Sequence, residues 1–173
     1  MSYTFLIGGA RSGKSSLAVR LGDRAKGDVV FLATATASDD EMAQRIAEHQ
    51  AGRPESWSTI EESRHLHQAI KELAPMSFVI LDCLTLWVSN VFAEMPDEDV
   101  LAEAKAVARA MADRKGEGVV VTNDVGLGIV PFDPETRRYR DLLGRVNTVF
   151  ASQALESFFL AAGKVTRLEA MPM

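Results

Sequence analysis

Short apolar runs alternate along the chain with longer segments in which apolar residues recur every three or four positions. The runs predict strands at residues 3–7, 28–33, 78–81, 118–122 and 157–161. Residues 78–81 show no polar alternation, which is typical of a central strand that is buried on both faces. Because strands and helical segments take turns, the pattern predicts an α/β fold with a mainly parallel sheet flanked by helices.

The helical segments differ in how clearly they show their periodicity. We expect helices after residue 13 and at 39–51, 61–73, 97–114 and 139–155. In the segment 97–114 one inner face collects Val100, Leu101, Ala104, Val107, Ala108 and Met111. In the segment 39–51 the expected inner face consists of Met42, Ala43, Ile46 and Ala47. Residues 123–136 predict an ordered loop, and with no repeat or linker visible we expect residues 1–173 to form a single domain.

Composition and charge narrow the functional classes. The chain has 173 residues, one cysteine and a net charge of −5. This charge argues against a nucleic-acid partner, because no basic surplus can neutralise a phosphate backbone. The single Cys83 excludes an internal disulfide and, after an apolar run, predicts a small buried hydrophobe. No apolar run approaches the roughly 20 residues that cross a bilayer, so we expect a cytoplasmic protein with no membrane span.

A glycine-rich loop carries the clearest chemical signal. It consists of Gly8, Gly9, Ala10, Arg11, Ser12, Gly13, Lys14 and Ser15 and matches the phosphate-binding pattern G-x-x-x-x-G-K-[ST]. The loop stands between a predicted strand and a predicted helix, where backbone N–H groups and a helix N-terminus can bind phosphate. We expect Lys14, in an exposed loop, to reach the β- and γ-phosphates of a nucleoside triphosphate. The hydroxyl of Ser15 would then bind Mg²⁺.

Three further features each leave two interpretations open. Asp82 either holds Mg²⁺ at the end of its strand or caps the helix that begins near Leu84. His49 shares a helical face with Glu41 and Arg45, and from its spacing alone it is either a solvent-facing residue or a group that meets a ligand. A cluster of arginines is either a solvated helix face or a phosphate-contacting patch. The cluster consists of Arg137, Arg138, Arg140 and Arg145.

Several blocks together resemble one family, the bifunctional adenosylcobinamide kinase / adenosylcobinamide-phosphate guanylyltransferases of cobalamin biosynthesis. The resemblance rests on the glycine-rich loop and on further blocks that keep the family's order and cover nearly the whole chain. These blocks are Asp40-Glu41-Met42 with Arg45-Ile46, His49 with Gly52-Arg53-Pro54, Asn123-Asp124-Val125-Gly126-Leu127-Gly128-Ile129-Val130-Pro131, and Gly144-Arg145-Val146-Asn147.

The resemblance implies a RecA-like P-loop NTPase fold, a homotrimer and two reactions that use ATP or GTP with Mg²⁺. The first phosphorylates the aminopropanol hydroxyl of adenosylcobinamide, and the second transfers GMP from GTP through a histidine to give adenosyl-GDP-cobinamide. Some members carry two adjacent histidines, whereas this chain has Glu48 before His49, so His49 is the implied nucleophile. The other implied nucleotide contacts are Thr34, Gln50, Ala51, Gly52, Arg53, Glu61 and Asp82.

The residues themselves leave two other functions open. One is a plain P-loop small-molecule kinase, in which His49 is only a surface residue. The other is a nucleotide-binding switch protein, although the chain lacks the Asn-Lys-x-Asp element that reads guanine in such proteins.

Overall fold

The computed structural model describes residues 3–37 and 40–171, apart from the side chains of Glu41, Met42, Arg45, Glu48 and His49. The elements follow one another as β1 (Tyr3–Gly8), α1 (Lys14–Gly22), β2 (Val29–Ala33), α2 (Asp40–Ala51), β3 (Ser58–Glu61), α3 (Leu66–Glu72), β4 (Phe78–Asp82), α4 (Leu84–Val91), α5 (Asp97–Asp113), β5 (Gly118–Asn123), α6 (Pro134–Gln153), β6 (Glu156–Ala161) and β7 (Lys164–Leu168). Strands and helices therefore alternate over most of the chain, as the hydrophobic pattern predicts.

The strands form one seven-stranded sheet with the spatial order β3-β2-β4-β5-β1-β6-β7. Neighbouring strands are parallel except for β6 and β7, which are antiparallel. Parallel strands end at the same edge of a sheet, so the residues that follow β1, β2, β4 and β5 lie near one another. The predicted α/β fold with a mainly parallel sheet is confirmed.

Helices cover both faces of the sheet and bury an apolar cluster on each. Val79 and Leu81 of β4 lie in the cluster that contains Trp87 of α4. Ile80, between them, lies in the second cluster together with Ala18 of α1. Consecutive side chains of a strand point to opposite faces, and burying a large apolar side chain is worth about 1.5–3 kcal/mol. Burial on both faces therefore stabilises β4 as a central strand, as predicted.

Two helix predictions need correction and one is confirmed. The predicted helix 61–73 is wrong at its start, because residues 58–61 form the edge strand β3 and the helix covers only 66–72. Helix α6 begins earlier than predicted, with Pro134 in its first turn and the Asp133 carboxylate accepting a hydrogen bond from Thr136 N at 2.7 Å. In α5 every residue that was predicted to face inward is buried.

Helix α2 buries fewer of the side chains on its expected inner face than the sequence predicts. Ala43 and Ala47 are exposed, Ile46 is half-buried, and the side chain of Met42 lies outside the described residues. Ile46 lines a cavity instead of an apolar cluster, which explains why its alanine neighbours are not covered. Within residues 3–37 and 40–171, no helix has the length and apolar character needed to cross a membrane.

Candidate nucleotide site

A cavity of about 440 Å³ opens at the carboxyl edge of the sheet, and we call it the edge cavity. Residues 10–16 of the glycine-rich loop and the start of α1 line one side of it. The other sides come from β2, α2, β3, β4, α4 and β5. In open α/β sheets ligands bind at this edge, so the position alone makes the cavity a candidate site.

The glycines at both ends of the loop are required by its backbone geometry. Gly13 precedes α1 with φ 101°, a left-handed conformation that side chains disfavour. A Cβ atom at Gly8 would lie 2.2 Å from the carbonyl oxygen of Leu160 in β6. These constraints let the loop turn tightly from β1 into the N-terminus of α1, where the helix dipole favours an anion.

Lys14 is buried, which contradicts the expectation of an exposed loop lysine. Its side chain is 7% exposed, and Nζ donates to the carbonyl oxygens of Gly8 at 3.0 Å and Gly9 at 2.6 Å and to Ser12 Oγ at 3.2 Å. Burial lowers the pKa of Lys14, while the negative charge of Asp82 opposes that shift. The curl of the loop therefore provides oxygen acceptors that hold the ammonium group inside the cavity wall.

Ser15 and Asp82 meet across the site although they are far apart in sequence. Ser15 Oγ donates to Asp82 Oδ2 at 3.0 Å, and both residues line the edge cavity. The N-cap residue of α4 is Cys83, not Asp82, and the Cys83 side chain makes no capping hydrogen bond. The structure therefore favours the interpretation of Asp82 as a group of the site, because its carboxylate lines the cavity beside the Ser15 hydroxyl.

Thr34 is one predicted nucleotide contact that does not line the edge cavity. It is fully buried after β2, and its Oγ1 donates to the Cys83 carbonyl oxygen at 2.7 Å. The same atom accepts a hydrogen bond from the Cys83 backbone N–H at 2.8 Å. Thr34 therefore fixes the backbone that follows Asp82 and does not face the cavity.

Gln50, Arg53 and Glu61 form the wall of the cavity opposite the loop. Gln50 Nε2 donates to Glu61 Oε1 at 3.2 Å, and the Arg53 guanidinium carbon lies 3.5 Å from the centre of the Phe31 ring. Arg53 Nε is buried and has no hydrogen-bond partner among the described residues. Burial lowers the pKa of Arg53, although the carboxylates of Asp82 and Glu61 oppose the shift. A cation with a spare donor suits a phosphate or a polar base edge.

The other residues that were predicted to contact the nucleotide do not line the cavity, or their side chains are not among those that the structure describes. Gly8 and Gly9 contribute carbonyl oxygens to Lys14 and do not line the cavity, while Ala51 and Gly52 are exposed at the end of α2. His49 belongs to α2, but its side chain lies outside the described residues. Helix α2 nevertheless borders the cavity through Ile46 and Gln50.

Three of the four arginines in the cluster on α6 contact other residues of the chain. Arg138 pairs with Asp97 at 2.7 Å, and Arg140 pairs with Asp141 at 2.8 Å. Arg137 donates to the carbonyl oxygen of Pro131 at 2.9 Å, and Arg145 is exposed. None of these arginines belongs to the lining described for the edge cavity. The structure thus favours the interpretation as a solvated helix face.

Cys83 and Asn123 also line the edge cavity. Cys83 is buried as predicted, and burial, with the charge of Asp82 as a smaller cause, raises the pKa of its thiol to about 12. In the sequence, Asn123 stands out only as the first residue of the block 123–131. A polar residue at the end of a predicted buried strand is the signal that could have indicated a site residue. Phe31 and Leu86 also line the cavity, but no signal in the sequence distinguishes these apolar residues from core residues.

Comparisons with known proteins identify the family to which the sequence is similar. The sequence profile of the family described as cobinamide kinase / cobinamide phosphate guanyltransferase matches residues 4–168. The bifunctional adenosylcobalamin biosynthesis protein CobP of Pseudomonas aeruginosa is 37% identical over 169 residues, which cover 97% of this chain and 98% of that protein. The protein of the same description named CobU in Escherichia coli K12 is 39% identical over 173 residues, covering 91% and 94% respectively.

Solved structures show the fold at much lower sequence identity. An ATPase from a bacterial type III secretion system matches with a TM-score of 0.57 at 12% identity, over 92% of this chain and 51% of that chain. The RadB recombinase matches with a TM-score of 0.53 at 14% identity, over 91% of this chain and 73% of that chain. The expected RecA-like P-loop NTPase fold is therefore confirmed. With the profile match over nearly the whole chain and relatives of similar length, the chain belongs to the cobinamide kinase / cobinamide phosphate guanyltransferase family.

Proposed function

We propose that this protein phosphorylates adenosylcobinamide and then joins GMP to the product, as a bifunctional enzyme of adenosylcobalamin biosynthesis. The observation that carries the proposal is the convergence of Lys14, Ser15 and Asp82 on one cavity, in a chain that belongs to this family. The family match also favours this function over a plain P-loop small-molecule kinase. Residues 1–173 would act as one nucleotide-binding domain, and the homotrimer stays a prediction from the resemblance.

The kinase reaction needs positioning and charge neutralisation more than covalent help. The aminopropanol hydroxyl of adenosylcobinamide attacks the γ-phosphorus of ATP or GTP, and a new P–O bond forms. The bond to the bridging oxygen breaks, its electron pair leaves on the nucleoside diphosphate, and the hydroxyl proton passes to water. Lys14 stabilises the charge on the β- and γ-phosphoryl oxygens, and backbone N–H groups of residues 9–13 bind the phosphate chain.

The residues at the floor of the cavity fit a magnesium ion. The Ser15 hydroxyl and the Asp82 carboxylate supply oxygen ligands 3.0 Å apart. No cluster of three or more His, Cys, Asp or Glu side chains is present in the part of the chain that the structure describes. Mg²⁺ commonly uses one or two protein oxygens and takes its other ligands from phosphates and water. When bound, it would neutralise the triphosphate charge.

The second reaction uses a histidine that we propose to be His49. A neutral imidazole nitrogen attacks the α-phosphorus of GTP, a P–N bond forms, and pyrophosphate leaves with the electron pair of the broken P–O bond. An oxygen of adenosylcobinamide phosphate then attacks the same phosphorus, and the P–N bond breaks to release adenosyl-GDP-cobinamide. The contribution of Ile46 and Gln50 to the cavity supports this assignment, since His49 lies between them in α2.

Labelled GTP tests the two reactions separately. With α-labelled GTP alone, the denatured protein should retain label, whereas γ-labelled GTP should leave it unlabelled. With adenosylcobinamide and γ-labelled GTP or ATP, the label should appear in cobinamide phosphate. Retained γ-label or no turnover of adenosylcobinamide would contradict the proposal, and kinase turnover without α-label would leave only the plain kinase.

A further inference from the structure

The end of β5 occupies a special position at the edge cavity. β5 lies between β1, which leads into the glycine-rich loop, and β4, which ends at Asp82. In register, Asn123 is opposite Gly8 and Val121 is opposite Asp82. Asn123 thus extends about 6.5 Å beyond the level of Asp82, at two residues of strand rise. Asn123 lines the edge cavity together with residues of the glycine-rich loop, where the phosphates of a bound nucleotide would lie.

Both backbone groups of Asn123 are fixed by side chains of the neighbouring helices α4 and α6. Its N–H donates to Thr85 Oγ1 at 2.8 Å, and its carbonyl oxygen accepts from Asn147 Nδ2 at 3.1 Å. Asn147 is itself held, because its Oδ1 accepts from Thr122 Oγ1 at 2.8 Å. Tyr139 OH donates to the Thr85 carbonyl oxygen at 2.9 Å and fixes the first turn of α4. Satisfied buried networks of this kind hold a backbone in one arrangement.

The side chain of Asn123, by contrast, makes no hydrogen bond to any residue that the structure describes. Val121 and Asn123 both line the edge cavity, as expected for residues on one face of a strand, while Thr122 faces the buried network. The hydrogen bonds between Asn123 and described side chains come from its backbone N–H and carbonyl oxygen. A residue with a fixed backbone and a side-chain amide that is not hydrogen-bonded is suited to bind a ligand group.

We propose that the side-chain amide of Asn123 donates a hydrogen bond to the phosphoryl group in transfer and is a catalytic residue of the kinase reaction, an inference that rests on the proposed function. The γ-phosphoryl oxygens gain charge at this point, as the acceptor oxygen bonds to phosphorus and the bond to the nucleoside diphosphate breaks. A neutral donor at a fixed place stabilises that charge without repelling the triphosphate. Asn147 is then a positioning residue, since it acts through the backbone of Asn123.

The chemistry separates this role from general nucleotide binding. Guanylyl transfer takes place at the α-phosphorus, so it does not require a donor at the γ-phosphoryl group. Asn123→Ala should lower the kcat for adenosylcobinamide phosphorylation about 100-fold. The dissociation constant for ATP and the yield of GMP-labelled protein should stay within about threefold of wild type. Asn123→Asp should be slower than Asn123→Ala, because it adds a negative charge beside the phosphates.

The test uses the full-length protein with ATP, labelled GTP and adenosylcobinamide. Gln153→Ala, an exposed amide at the end of α6, is the matched control and should behave as wild type. Asn123→Gln moves the amide by one methylene group and should also lose kinase activity. If the alanine variant folds poorly, the kinase rate of Asn123→Gln still tests the inference. The melting temperatures of both variants should lie within about 2 °C of wild type, because the amide makes no hydrogen bond to the described residues.

The outcomes distinguish this inference from the proposed function. If the wild-type protein forms no cobinamide phosphate, the proposed function fails and this inference fails with it. If the wild type is active and Asn123→Ala is equally active, only the inference is overturned. A parallel loss of kinase activity, ATP binding and GMP labelling would also overturn it, because Asn123 would then support the whole site. A selective loss of kinase kcat is the supporting result.

Discussion

Ser15 Oγ donates a hydrogen bond to Asp82 Oδ2 at 3.0 Å, joining the first turn of α1 to the end of β4. This contact arises because β4 and β1 end at the same edge of the sheet, separated only by β5. The fold therefore holds the two proposed oxygen ligands next to each other. The Ser15 oxygen could bind a magnesium ion through a lone pair while its proton is still donated to Asp82.

Asp82→Asn tests this pair. The amide oxygen can still accept from Ser15, so the fold should be retained, but a neutral amide is a poor ligand for a hard cation. We expect Mg²⁺-dependent nucleotide affinity to fall about 10- to 100-fold and both reactions to slow, as measured by calorimetry and turnover. Asp113→Asn, an exposed carboxylate at the end of α5, is the control. A lower melting temperature with unchanged Mg²⁺ affinity would contradict the account.

Lys14→Ala should remove kinase activity while changing stability little. The transferred phosphoryl group loses its fixed cation, and we expect kcat to fall at least about 100-fold. Loss of the bonds to Gly8, Gly9 and Ser12 is offset by relief of a buried charge, so the free energy of unfolding should change by about 1 kcal/mol or less. Lys26→Ala, in an exposed turn, is the control. Kinase activity near that of wild type in Lys14→Ala would refute the assignment of the phosphate-binding loop.

Thr34 distinguishes a nucleotide contact from a residue that positions the site. Thr34→Val keeps the shape but leaves the Cys83 N–H and carbonyl oxygen without their partner, which should cost about 1–3 kcal/mol of stability. Thr34→Ser keeps the hydroxyl and should have nearly the stability and nucleotide affinity of wild type. Thermal unfolding and nucleotide titration of both variants provide the measurements. Weakened nucleotide binding in Thr34→Val with no change in stability would instead support a direct contact.

The raised pKa of Cys83 predicts a specific pH dependence. Burial keeps the thiol neutral in the folded protein up to about pH 12, whereas the ordinary value is 9.0. Its stabilising contribution is therefore complete below pH 9.0 and is lost as the pH rises toward 12. Stability should fall less steeply in Cys83→Ala than in wild type across this range, as measured by urea unfolding. Parallel curves for the two proteins would show that the thiol does not contribute.

The strands and the phosphate-binding loop were predictable because their signals are local. Val79, Ile80 and Leu81 are adjacent apolar residues, and the loop is a motif with fixed spacing. Strand β3 was missed because Ser58, Thr59 and Glu61 are polar, and an exposed edge strand buries too little to require an apolar run. The antiparallel β7 was missed for the same reason, since all its residues are exposed.

The parts of the site that could not be predicted depend on contacts between distant segments. Thr34 reads as a polar residue after a strand, and only the neighbouring β4 shows that its hydroxyl is used by Cys83, 49 residues away. Lys14 reads as a loop lysine, and its burial follows from carbonyl oxygens that only the curled backbone presents. The sequence gives no role for Asn147. Only the structure shows that its side chain donates a hydrogen bond to the Asn123 carbonyl oxygen.

We propose that the second reaction depends on His49. Covalent attachment of GMP requires a nucleophile, whereas phosphorylation of the cobinamide hydroxyl requires only the phosphate-binding loop and its metal. The other two histidines of the chain provide matched controls, because His65 precedes α3 and His67 lies within it. The P–N bond should be labile in acid and stable in base, unlike an ester with Ser or Thr.

The most direct measurement is the amount of acid-labile GMP bound to His49→Ala after incubation with α-labelled GTP, taken together with its GTP affinity and its kinase rate. We predict that His49→Ala loses the label while it retains GTP binding and most of its kinase activity, and that His65→Ala and His67→Ala are labelled like wild type. Acid-labile GMP on His49→Ala at the wild-type level would contradict the account, because the nucleophile would then be another residue.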